Sequence, residues 1–139
     1  MKHLVWLALL FASSFALAHS YLIRSSPRLG QTVRVMPKTV LLEFSEPLEI
    51  NFSSFKVYAL PASSDPQKAA ADLSARVLSL KNDAEARADA GLVSNTSPAA
   101  QLELKLKEKL PSGWYVVMYR ALSIDTHTTT DQFVFRYQP

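Results

Sequence analysis

Cysteine is absent from this chain, which excludes thiolate metal sites, thiol redox chemistry, cysteine nucleophiles and disulfide staples; the fold must be held by its core. Glycine is scarce as well: three residues in 139 give little material for a phosphate-cradling loop. A strong excess of charge of either sign is also missing. Fifteen basic and 12 acidic side chains leave a formal charge of +3. The isoelectric point is near 9.3, yet no basic run or stripe stands out. Lys105, Lys107 and Lys109 alternate along one strand pattern and read as its wet face, so nucleic acid is not an expected partner.

The one long apolar run lies at the start. Lys2 supplies a positive n-region, residues 4–17 are apolar or small, and Ala16-Leu17-Ala18 forms an A-x-A cleavage site. Residues 1–18 therefore read as a secretory signal peptide. A membrane anchor fits less well, because a spanning helix needs about 20 apolar residues and no second run follows. Cleavage after Ala18 would leave residues 19–139, enough for one domain with its own core, expected as a monomer in the bacterial periplasm. That mature chain retains two histidines, His19 and His127, and two methionines, Met36 and Met118.

Hydrophobic periodicity along the mature chain is mostly two. Leu102, Leu104 and Leu106 alternate with Glu103, Lys105 and Lys107, and Phe133, Phe135 and Tyr137 alternate with polar neighbours. Residues 39–44, 54–60 and 114–122 are rich in β-branched, aromatic and leucine side chains; 20–24 and 75–80 are weaker strand candidates. Prolines 27, 37, 47, 61 and 111 punctuate these runs. Six or seven short strands in such a length predict an all-β fold, an antiparallel sandwich or Greek-key barrel of immunoglobulin-like type. Residues 61–98 depart from the pattern. Asp65-Pro66 resembles an N-cap followed by proline at the first helical position, and Asn82 with Glu85 resembles a capping box whose helix Gly91 could end. The region is expected to be a short, partly helical insertion, with a loop as the alternative.

Chemistry is concentrated in His19, in Ser123-Ile124-Asp125-Thr126-His127, and in Glu46 of Glu43-Phe44-Ser45-Glu46-Pro47. An Asp-Thr-His tripeptide alone is weak evidence, since such a histidine is more often solvated or hydrogen-bonded than metal-bound. The first residue of the mature chain changes the balance. An N-terminal histidine offers its free α-amine and ring Nδ1, which close a six-membered chelate. Asp125 and His127 are two apart, so in an extended segment their side chains leave the same face. Three nitrogens and one oxygen in a tetragonal plane suit Cu(II), whereas zinc prefers a tetrahedral set. Two other classes compete: a copper-dependent oxidative enzyme using an N-terminal histidine chelate, and a metal-free adhesion module on the same sandwich.

The segments His19-Ser20-Tyr21-Leu22-Ile23-Arg24-Ser25-Ser26-Pro27, Leu42-Glu43-Phe44-Ser45-Glu46-Pro47-Leu48 and Leu110-Pro111-Ser112-Gly113-Trp114, continuing to Ser123-Ile124-Asp125-Thr126-His127, together resemble the CopC/PcoC copper-resistance family. The resemblance spans most of the mature chain apart from residues 61–98. It implies a seven-stranded Greek-key sandwich and Cu(II) binding in the periplasm for copper resistance and homeostasis, not catalysis. It implies His19, Asp125 and His127 as ligands, with Glu46 beside the copper as a weak axial ligand or a support to one. It also suggests a CopD-type inner-membrane copper transporter as partner. Two departures stand out. Met36 and Met118 do not form the methionine cluster that serves Cu(I) in some members, so a Cu(II)-only protein is expected. Thr128-Thr129-Thr130-Asp131 fills a stretch where the family often carries glycine.

Overall fold

Alternation builds the first layer of the molecule, a computed structural model that describes residues 20–139. In the strand Ala99–Leu106, Leu102, Leu104 and Leu106 are buried while Gln101 and Lys105 are exposed, as a half-buried strand requires. The chain forms β1 (Leu22–Ser26), β2 (Thr32–Val33), β3 (Thr39–Leu48), β4 (Ser54–Ala59), α1 (Pro66–Val77), β5 (Asp89–Leu92), β6 (Ala99–Leu106), β7 (Gly113–Leu122) and β8 (Thr128–Tyr137). Two four-stranded sheets result, ordered β1-β3-β6-β5 and β2-β8-β7-β4. Their inner faces enclose one core, with Val40, Leu42 and Phe44 from β3 meeting Phe55, Val57, Tyr115, Val117, Tyr119 and Phe135.

The sandwich expected from the sequence is therefore present, with eight strands where seven were expected. The added elements are short. β2 has two residues and pairs parallel to β8, the one parallel pair among the described strands. Such elements carry too few residues for a period-two signal. Residues 75–80 belong to the end of α1 and the turn after it, not to a strand, because Val77 and Leu78 face a second core.

That second core explains α1. Asp65 caps the helix by accepting from the Lys68 N–H at 3.1 Å, and Pro66 occupies its first turn, where a missing N–H costs nothing. Ala70, Leu73 and Val77 then cover the outer face of the second sheet, against Tyr58, Val116, Met118 and Val134. β7 is consequently buried on both faces, from Tyr115 to Tyr119. The second helix suggested by Asn82 and Glu85 is only a 3-10 turn, Ala84–Ala86, with no side-chain cap. Asn82 instead adopts a positive φ of 64°, and Gly91 lies in β5. Among the described residues no helix is long and apolar enough to cross a membrane.

Asp83, which would have belonged to that second helix, is drawn into a buried ion cluster. Lys56, on β4, is almost wholly buried, and its ammonium donates to the carbonyls of Val77 (2.8 Å) and Leu80 (2.6 Å) and to Asp83 Oδ2 (2.7 Å). All three of its donors are thus used. The Tyr58 hydroxyl donates to the same carboxylate oxygen. Burial, reinforced by Asp83, pushes the Tyr58 hydroxyl up to about 12. Burial works to raise Asp83 too, but the bonds from Lys56 and Tyr58 outweigh it and hold the carboxyl below 3.8. Close by, Asp89 accepts from the Val57 N–H at 2.8 Å and pairs with Arg87 at 2.5 Å.

Removing one partner of a buried pair strands the other charge, at a cost of about 3–5 kcal/mol. Because Lys56 keeps two carbonyl acceptors, Asp83→Ala is expected to cost about 3 kcal/mol, at the lower end of that range. Equilibrium urea unfolding checks this; an unchanged midpoint would show that the cluster is not stabilising. The sign with pH follows from the lowered carboxyl. Its contribution is present above the ordinary carboxylate range and is lost as acid protonates Asp83.

Candidate metal centre

The end of β3 and the turn between β7 and β8 meet at one pole of the sandwich. Beneath them Phe44 packs edge-on against Tyr119, with ring centroids 5.1 Å apart and planes at 88°, holding β3 over β7. Leu48 bridges Ser123, the Ile124 N–H reaches the Pro47 carbonyl at 3.3 Å, and the Glu49 N–H reaches the Leu122 carbonyl at 2.8 Å. These bonds join the last residues of one sheet to the closing turn of the other. The start of the described chain lies at the same place. The Ser45 N–H donates to the Tyr21 carbonyl at 2.8 Å, the Tyr21 N–H to Ser45 Oγ at 3.0 Å, and the buried Ser20 hydroxyl lies 3.5 Å from the Glu46 carbonyl.

β7 and β8 pair up to Leu122 and Thr128, so residues 123–127 form a five-residue connection. Extended alternation is not what brings Asp125 and His127 together, because the segment is a turn. Thr126 has a φ of 75°, uncommon for a β-branched residue, and the Thr126 N–H closes onto the Ser123 carbonyl at 2.9 Å. Convergence comes from local bonding. Asp125 Oδ1 accepts from the His127 N–H at 3.1 Å and from the Ser123 hydroxyl, and lies 3.1 Å from His127 Nδ1, an atom shielded from solvent. The positive φ falls on Thr126, before His127, and the Thr128-Thr129-Thr130-Asp131 stretch after it is already β8 strand.

The Ser123 hydroxyl, followed by the His127 N–H, holds the Asp125 carboxyl down at about 2. It is therefore a carboxylate, as a metal ligand must be. The Oδ1–Nδ1 separation is also that of neighbouring ligands in a square: bonds of about 2.1 Å give an edge of about 3 Å. The same separation serves an ion pair whenever the imidazole is protonated. Asp125 and His127 thus fit as two donors of a site for a borderline metal.

Of the four expected site residues, the structure brings Asp125 and His127 together and sets Glu46 on β3, one residue from Pro47, whose carbonyl accepts from the turn. His19 and the proposed leader lie outside the described residues. Among the described residues no three His, Cys, Asp or Glu side chains form a metal-holding group. Ser123 joins the site without having been expected there as a participant. Its position two residues before Asp125, where a hydroxyl can bond a following carboxylate, was the available signal. Met36 packs against the main core and Met118 against α1, so these two methionines occupy separate clusters.

The lowered Asp125 carboxyl yields a direct check. Its turn bonds favour the ionised form, so they are complete above 3.8 and are lost as the pH falls through about 2. Carbon-13 titration of the metal-free protein is expected to place the Asp125 midpoint near 2. A midpoint at or above the ordinary 3.8 would contradict the turn as described.

The overall fold is similar to that of known proteins. A family model described as the CopC domain matches residues 22–138. The crystal structure of CopC from Methylosinus trichosporium OB3b is similar at 25% identity and a TM-score of 0.61, covering 87% of this chain and 95% of that one. PcoC from Escherichia coli, described as a methionine-rich copper resistance protein, is similar at 26% identity and a TM-score of 0.61, covering 87% of this chain and all of the other. No curated protein sequence matches.

Proposed function

The chain belongs to the CopC family of copper-binding, copper-resistance proteins, and from that premise we propose that it is a secreted periplasmic monomer that holds one Cu(II) ion through the mature N-terminal His19. The observation that carries this reading is the Asp125–His127 pair, with Oδ1 and Nδ1 3.1 Å apart in a turn fastened to the end of β3. Ser20, the residue after His19, is at the same strand end. The His19 amine and ring would supply two nitrogens, His127 a third and Asp125 an oxygen, a donor set that suits Cu(II). Glu46 would stand beside the plane as an axial donor or as a support to a ligand.

The packing of Met36 and Met118 in separate clusters supports a preference for Cu(II) over Cu(I). The ion is cargo in this reading, and a CopD-type inner-membrane copper transporter is the proposed exchange partner. Asp125 also favours holding over catalysis, because a carboxylate in the plane occupies a position that oxygen chemistry would need and stabilises the higher charge.

Processing provides the test. Before cleavage the nitrogen of His19 is an amide, which binds copper well only after deprotonation. Mature protein titrated with Cu(II) under electron paramagnetic resonance is expected to give one tetragonal, nitrogen-rich site. One alanine added before His19 preserves both rings and Asp125 and removes only the amine chelate, so affinity should fall sharply and the spectrum should change. If that variant matches the mature protein, the α-amine is not a ligand and the assignment fails. His127→Ala and Asp125→Ala should each weaken binding with the fold intact by circular dichroism. Retention of full affinity by both would move the site elsewhere.

A further inference from the structure

We propose that Ser123 is a positioning residue for the metal centre: its buried hydroxyl sets the Asp125 carboxylate and the turn around it before any ion arrives. This rests on the copper-site reading above, and concerns a residue that never touches the ion. The Ser123 side chain is buried beneath the turn, about 1% of the residue being exposed. Its Oγ contacts Asp125 Oδ1 and lies 3.1 Å from the His127 carbonyl.

A serine hydroxyl has one proton, and both of these neighbours are acceptors. The carboxylate makes the stronger claim, because a hydrogen bond to an ionised acceptor is about twice as strong as a neutral one. The carbonyl can do without it, since it already accepts the Ser123 N–H at 2.9 Å. The backbone of Ser123 therefore holds the hairpin while its hydroxyl holds Asp125, and the two tasks can be separated by mutation. A second observation points the same way. Thr126 is kept at a positive φ between the two donors, and such a conformation persists only where its surroundings over-determine it. The Ser123 carbonyl, N–H and hydroxyl supply that constraint from one residue, which the Leu48 bridge ties to the opposite sheet.

Ser123→Ala removes the hydroxyl alone. Asp125 keeps the His127 N–H as a donor but loses the one that approaches from the buried side, so its carboxylate can rotate out of the arrangement with Nδ1. Losses on removing such supports are typically about 10–100-fold in metal affinity. The experiment is a cycle of Ser123→Ala, Asp125→Ala and the double variant in the mature protein. Cu(II) affinity is read by competition and paramagnetic resonance, and amide hydrogen exchange is read on the metal-free proteins. Ser123→Ala alone should weaken Cu(II) about 10–100-fold and alter the spectrum, and should lower protection of the His127 amide without metal. In the Asp125→Ala background the same change should cost little further, because its target is gone.

Equal losses in both backgrounds would show an effect on the fold and overturn the proposal, as would an unchanged affinity for Ser123→Ala. Ser123→Thr, which restores a hydroxyl, should recover most of the affinity if it remains folded by thermal unfolding. Should it unfold, the cycle still decides. If Asp125→Ala leaves Cu(II) binding intact, the copper-site reading fails, and the amide-exchange result then decides Ser123's hold on the turn independently.

Discussion

The meeting of the two sheets at Leu48 and Ser123 is the contact on which the candidate centre depends. Over most of their area the sheets are held face to face by non-directional apolar packing, which fixes their separation more firmly than their register, with a directional link at the β4–β5 edge where Asp89 accepts from the Val57 N–H. At this pole the bridge, the Ile124–Pro47 bond and the Glu49–Leu122 bond make the relation directional. They place the end of β3, with Glu46 and the entering chain at Ser20, against a turn that belongs to the other sheet. A site assembled from distant segments needs such a seam, because a shift of about an ångström is enough to spoil a ligand set. The edge-on contact of Phe44 and Tyr119 gives that seam a rigid floor.

The legible part of the fold was the part written in alternation. Leu102, Leu104 and Leu106 announced β6, and Phe133 and Phe135 announced β8, because one face of each meets the core. The N-cap at Asp65 and Pro66 announced the start of α1. Local pattern and structure part where tertiary contacts override the pattern. Asn82 and Glu85 look like a capping box, but Asp83 between them is held by Lys56 and Tyr58, and the segment tightens into a short turn. Residues 75–80 have strand-like composition, yet Val77 and Leu78 serve a second apolar face that no local window reveals.

The candidate centre was legible in residue type and less so in geometry. Identity and spacing single out Asp125 and His127, but not the turn that makes them meet. Alternation requires an extended backbone, whereas the positive φ of Thr126 and the bonds to Asp125 Oδ1 bring the pair together. A side-chain hydroxyl buried under a turn, as in Ser123, leaves no mark in hydrophobic periodicity. Only its spacing to the following carboxylate could have suggested it.

The absence of cysteine takes on a different meaning beside the helix that covers the second sheet. Without covalent staples, stability must come from area, and α1 turns a two-layer sandwich into three layers by burying the outward faces of Val116, Met118 and Val134. The ammonium of Lys56, closed off by Val77, Leu80 and Asp83, makes that cover hard to lift. The segment that looks like an optional insertion in the linear sequence is therefore not removable. Trimming it to reach a minimal sandwich would expose a hydrophobic sheet with a stranded cation at its edge. The smallest stable version of this domain is consequently set by its third layer, although the candidate metal centre lies where the other two meet.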